Sequence, residues 1–142
     1  MFINEIVLSN NSLKNEIEEL VSLCKELEDD NTFIFYDGLD DEIITDWEKN
    51  NGVKIPETYK DWLKFSNGAI INGNTATFYD IDKIIINAPI KPEEFVVIGT
   101  LIGDGQFLCF SKITGEFVWF DHGDEERYSD FRQILNIIMD IL

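Results

Sequence analysis

The stretch DHGDEE, Asp121 to Glu126, gathers the densest set of side chains able to do chemistry in this 142-residue chain. Asp121, Asp124, Glu125 and Glu126 supply carboxylates and His122 the only imidazole, and several oxygen ligands at close spacing are what a hard divalent cation requires. The ligand spacing of a calcium-binding helix–loop–helix is absent, however. A single histidine with two distant cysteines, Cys24 and Cys109, cannot supply a zinc site of the two-histidine or cysteine-pair type. Nucleophilic catalysis fares no better, since His122 would need a serine or cysteine within hydrogen-bond reach. Cys109 lies between Leu108 and Phe110 in a strand-like run, where a small buried hydrophobe is the ordinary role. Gly99, Gly103 and Gly105 suggest a phosphate loop by composition. The run leads into a strand, though, with no helix N-terminus and no neighbouring lysine, so tight turns account for it. The segment therefore reads as a solvated acidic turn with a loop histidine, and the chain is assigned no catalytic residue, no metal and no cofactor.

Charge is the stronger signal. Eleven Lys and Arg against 28 Asp and Glu give a formal charge of -17, which repels phosphate backbones and anionic lipid surfaces and so argues against nucleic-acid and membrane binding. Between Glu28 and Glu48 there are nine acidic side chains and no Lys or Arg, and a second cluster runs from Asp121 through Glu126 with Arg127 alone opposing it. Such runs are ordinarily solvated faces. The functional alternative is that one of them, with exposed aromatics such as Trp119 or Tyr128, forms a surface complementary to a basic protein, because opposite charge raises association rate and specificity. The partner-binding residues expected on that reading are Asp104, Trp119, Asp121, Asp124, Glu125, Glu126 and Tyr128.

The elements that must position these residues are legible from periodicity. Leu13, Ile17, Leu20, Cys24 and Leu27 recur at helical spacing over residues 12–29, with Ser12 as the expected N-cap. After an extended TFIFYDG, the acids at 40–42 and the stripe Ile43, Ile44, Trp47 predict a second helix that Asn51-Gly52 stops. Pro56 then opens a third in its first turn, with Tyr59, Trp62 and Leu63 on one face and Asn67-Gly68 as the stop. From Ala69 to Asp121 the runs TATFYD, KIIIN, EFVVIG, QFLCFS and EFVWFD are strand-like, and short spacers join the last three into an antiparallel meander. Phe117 and Trp119 share one sheet face and Val118 and Phe120 the other, so both pairs are core only if both faces are covered. Ser129 is the expected cap of a closing helix with Phe131, Ile134, Leu135, Ile138 and Ile141 or Leu142 inward. Helices, then strands, then one helix predict a single α+β domain over residues 1–142. Its sheet should be mostly antiparallel, of about five to six strands, packed with N-terminal helices and one C-terminal helix.

The order of these pieces resembles the SMI1/KNR4 family, also called the SUKH superfamily. Ile44 and Glu48 in EIITDWEKNNG, then IPETYKDWLKFSNGA, FVVIGTLIGDGQFLCF, TGEFVWFDHGDEE and the closing SDFRQIL carry the likeness from about residue 38 onward. Residues 1–37 form a less well matched helical extension. The resemblance implies an α+β domain that acts by binding, without turnover. Bacterial members are similar to immunity proteins that neutralise a toxin domain, often a nuclease, in the cytosol of the producing cell; fungal members are adaptors in cell-wall and signalling regulation. No secretory signal is visible at the start of the chain, and no apolar run is long enough to span a bilayer, so a cytoplasmic location is expected.

Overall fold

The computed structural model describes residues 10–29, 32–73, 75–102, 106–121 and 123–142, with Asp121 in its backbone only. Its elements are α1 (Lys14–Leu27), β1 (Phe33–Phe35), α2 (Asp41–Asn51), α3 (Glu57–Phe65), β2 (Ala69–Ile71), β3 (Ala76–Phe78), a 3-10 turn (Ile81–Lys83), β4 (Phe95–Leu101), β5 (Phe107–Ser111), β6 (Phe117–Asp121), β7 (Asp124–Tyr128) and α4 (Phe131–Ile141). The strands form one seven-stranded sheet in chain order, each antiparallel to the next. This is the expected α+β architecture, and the meander extends through the whole sheet.

The helices lie on one face of the sheet, and their apolar stripes meet the inward residues of the strands. Ile17, Leu20, Val21 and Cys24 of α1, Tyr59, Trp62 and Leu63 of α3, and Phe131, Ile134, Leu135 and Ile138 of α4 join Val96, Ile98, Leu108, Phe110, Phe117 and Trp119 in one core. Phe131 sits at its centre, with ring centroids 5.1 Å from Tyr59, 5.6 Å from Trp62, 5.6 Å from Phe78 and 5.3 Å from Phe117. The opposite face carries a smaller core of Ala88, Phe95, Val97, Cys109, Val118 and Phe120. Its cover is irregular chain rather than helix: Ala88 and its neighbours fold back over the strands, anchored by one bridge between Ile85 and Val97. Both pairs in FVWF are therefore buried.

Several local expectations shift when tertiary bonds compete. Ser12 does not cap α1, because its backbone N–H and its hydroxyl both bond to Asp61 on α3; Asn11 Oδ1 instead accepts from the Leu13 N–H at 2.8 Å. Pro56 precedes α3 rather than occupying its first turn, and its carbonyl accepts from Tyr59 and Lys60, both at 3.0 Å. The helix ends at extended Ser66, while Gly68, at φ +95°, serves close packing: a Cβ there would stand 3.1 Å from the Asp80 nitrogen. Gly52 does stop α2 in the left-handed region, as expected. In α2 only Ile44 is buried, with Trp47 half-buried and Ile43 exposed. KIIIN is not a regular strand, because Asp80 accepts from the Asp82 N–H at 2.9 Å and Asn67 Oδ1 from the Ile81 N–H at 2.8 Å, which winds its start into the 3-10 turn. Asp130, not Ser129, caps α4 and shares a capping box with Gln133.

Candidate functional site

Residues 117–128 form a hairpin whose register settles where the acidic side chains go. Val118 faces Arg127, Trp119 faces Glu126, Phe120 faces Glu125 and Asp121 faces Asp124. Because successive side chains alternate across a strand, the acids of β7 do not form one patch. Asp124, Glu126 and Tyr128 lie on the helix side with Trp119, whereas Glu125 and Arg127 lie on the opposite side with Val118 and Phe120.

Those on the opposite side are already paired. Arg127 reaches Glu94 at 3.2 Å, Glu116 at 3.4 Å and Glu125 at 3.4 Å, and its guanidinium stacks over Phe95 with the charge 5.4 Å from the ring centroid. Lys91 closes the group, 2.8 Å from Glu125. Glu94 also accepts from the Ser111 hydroxyl at 2.7 Å. The hydrogen bonds from Arg127 first, then Ser111, hold the Glu94 carboxyl below its ordinary 4.5, and Lys91 does the same for Glu125. A depressed pKa contributes stability that is complete above the ordinary value and is lost as pH falls through the folded value. Glu94→Gln is thus expected to lower stability at pH 7 and to flatten its decline below pH 4.5, measured by urea unfolding across that range.

On the helix side Tyr128 donates to Glu126 at 2.7 Å, and its phenol is pushed up to about 12, by burial first and then by that carboxylate. Asp124 and Glu126 are exposed. Trp119 is not the exposed aromatic the sequence suggested. It is 9% exposed and belongs to the main core, because its strand position points at the helices. Asp104 and His122 lie outside the described residues. Among the described residues no three His, Cys, Asp or Glu side chains could hold a metal ion. Both cysteines are free and buried, and burial pushes Cys24 up to about 11 and Cys109 up to about 12, so neither is a poised thiolate.

The other acidic run, residues 28–48, follows a different pattern. Glu48 is structural: its carboxylate accepts from the Ile55 N–H at 2.7 Å and meets Lys60 at 3.3 Å, fixing the connection from α2 to α3. Asp41 pairs with Lys64 at 2.7 Å. Glu28, Asp29, Asp37, Asp40, Glu42 and Asp46 are exposed and form no ion pair with the described residues. Among the described side chains, six acids are left without an ion pair here against Asp124 and Glu126 at the β6–β7 hairpin, a distinction that charge counting along the chain cannot make.

The model of the SMI1/KNR4 family (SUKH-1) matches residues 38–137, from the loop before α2 into α4. The chain belongs to that family. The match covers the Ile44 and Glu48 helix, the Tyr59–Trp62–Leu63 face and the whole β3–β7 meander. No curated protein matches the chain. Among the described residues no helix is long and apolar enough to cross a membrane.

Proposed function

We propose that this SMI1/KNR4 protein is an immunity protein: it binds a cognate bacterial toxin domain stoichiometrically in the cytoplasm and blocks it, without cofactor or catalysis. The observation that carries the reading is the family match over residues 38–137, to which the net charge of -17 adds a preference for a basic partner such as a nuclease domain. The experiment is co-expression with the toxin domain encoded beside it. Rescue from killing together with a one-to-one complex on sizing supports the reading, and unchanged killing with no complex overturns it.

The β6–β7 hairpin contributes to the field that steers such a partner. Asp124 and Glu126, with Tyr128 beside them, are the exposed acids of β7 free of ion pairs to described residues. Charges at the rim of an interface act on encounter more than on dissociation. Asp124→Asn with Glu126→Gln is expected to slow association roughly two- to tenfold at low salt and to leave dissociation unchanged, with the difference vanishing above about 0.5 M salt, by stopped-flow fluorescence.

A further inference from the structure

Among the described residues the sheet ends in two edges, and they are guarded differently. β7 carries Asp124, Glu125, Glu126 and Arg127, a charged edge of the kind that discourages pairing. β1 is Phe33, Ile34 and Phe35, with no charge and no proline. Its inner side is committed to β2: the Tyr36 N–H donates to Gly68 O at 3.3 Å and the Asn72 N–H to Thr32 O at 2.8 Å. In the antiparallel register that pairs Ile34 with Ile70, Thr32, Ile34 and Tyr36 hold the bonded positions, so Phe33 and Phe35 turn their N–H and C=O groups away from β2. Those groups have no backbone partner among the described residues. The side chains of Phe33 and Phe35 pack under the helices, and Phe35 lies 5.5 Å from the Phe65 ring. Ile34 is 37% exposed on the other face, and Tyr36 is 51% exposed just beyond the strand. Among the described residues, what is left open is a half-made ladder on an apolar strand.

The surrounding charge decides what fits it. Glu28 and Asp29 precede the strand, and Asp37, Asp40 and Glu42 follow it, all exposed, with no Lys or Arg from Glu28 to Glu48. A second copy of this chain would bring the same acids and another -17 against them, whereas a cationic strand would neutralise them. β1 also lies before residue 38, where the family match begins.

We infer that β1 is a strand-addition site, at which an extended, lysine- or arginine-rich segment of the partner protein completes the sheet edge. This rests on the immunity reading and names the partner's binding mode. The test uses the full chain with the toxin domain encoded beside it. Hydrogen exchange by NMR is expected to show the Phe33 and Phe35 amides slowing at least tenfold on binding. Ile34→Lys should weaken binding at least tenfold and Ile34→Glu should not, with both variants melting like the parent. A complex in which both amides exchange as in the free protein overturns this inference and leaves the proposed function standing. Amides already slow in the free protein overturn it too, since the edge is then filled within the chain. Equal weakening by Lys and Glu rules out a cationic strand, and failure to form any complex removes the proposed function and this site together.

Discussion

Phe131→Ala is expected to destabilise the protein by roughly 3–5 kcal/mol, the cost of removing a large aromatic from a core that cannot close over the space. Phe131 is fully buried and is the one ring in contact with Tyr59, Trp62, Phe78 and Phe117 at once, so its loss opens a hole between α3, α4 and the sheet. Two of those neighbours are also held from other elements: Trp62 rests on Phe35 of β1, and Phe117 is laddered between Phe110 of β5 and Tyr128 of β7. Neither can move far to fill the gap. In a domain of this size the loss corresponds to a fall in melting temperature of about 10 °C or more. Ile113→Ala, at a side chain 73% exposed in the β5–β6 turn, should stay within about 0.5 kcal/mol and serves as the control. A loss below about 1 kcal/mol for Phe131→Ala would mean that the aromatic cluster does not carry the docking of α4.

The centrality of Phe131 was only half visible in the sequence. Helical spacing placed Phe131, Ile134, Leu135 and Ile138 on one face, as it placed Tyr59, Trp62 and Leu63, because a 3.6-residue period needs nothing beyond the chain itself. That the two faces converge on one ring is a tertiary fact. Caps were misplaced by a residue where a polar side chain had a better bond available across the fold, as when Ser12 turned to Asp61. β7 was hidden for another reason. DEERY has no apolar alternation, and it becomes a strand because β6 offers it one bonded side while its charges tolerate solvent on the other. KIIIN misled in the opposite direction, since its β-branched run suits a strand, yet side-chain caps from Asp80 and Asn67 wind its start. The acidic hairpin was legible as charge but not as geometry: alternation splits it between two faces, and Arg127 and Lys91 neutralise one of them. That β1 lies at the rim of the sheet among the described residues had no signature in the sequence, because whether a strand lies inside a sheet or at its rim depends on everything else that pairs.

Gly99→Ala tests that edge from a distance. A Cβ at position 99 would stand 2.1 Å from the Thr77 carbonyl oxygen and 3.1 Å from its carbon, so backbone must yield to backbone. Gly99 lies where β4 shifts register against β5 between Val97 and Gly99, and on its other side it pairs with Phe78. Overpacking of this kind costs roughly 1–3 kcal/mol, and the upper end applies where no flexible side chain can turn aside. Gly115→Ala provides the contrast. There φ is +76° with nothing within 4 Å, so it should show conformational strain of about 1–2 kcal/mol without a clash. The seam between β3 and β4 holds three laddered residue pairs, Ala76 with Leu101, Thr77 with Thr100 and Phe78 with Gly99, flanked by bonds from Tyr79 to Ile98 and from Ile102 to Thr75, and β1 and β2 join the sheet through it. Forcing Thr77 away from Gly99 should therefore release the β1–β3 end first. Amides of β2 and β3 are expected to exchange faster in Gly99→Ala while those of β5 and β6 keep their protection, and partner affinity should fall with them if the β1 edge is where the partner binds. Uniform loss of protection across all seven strands would instead show that the meander opens as one unit.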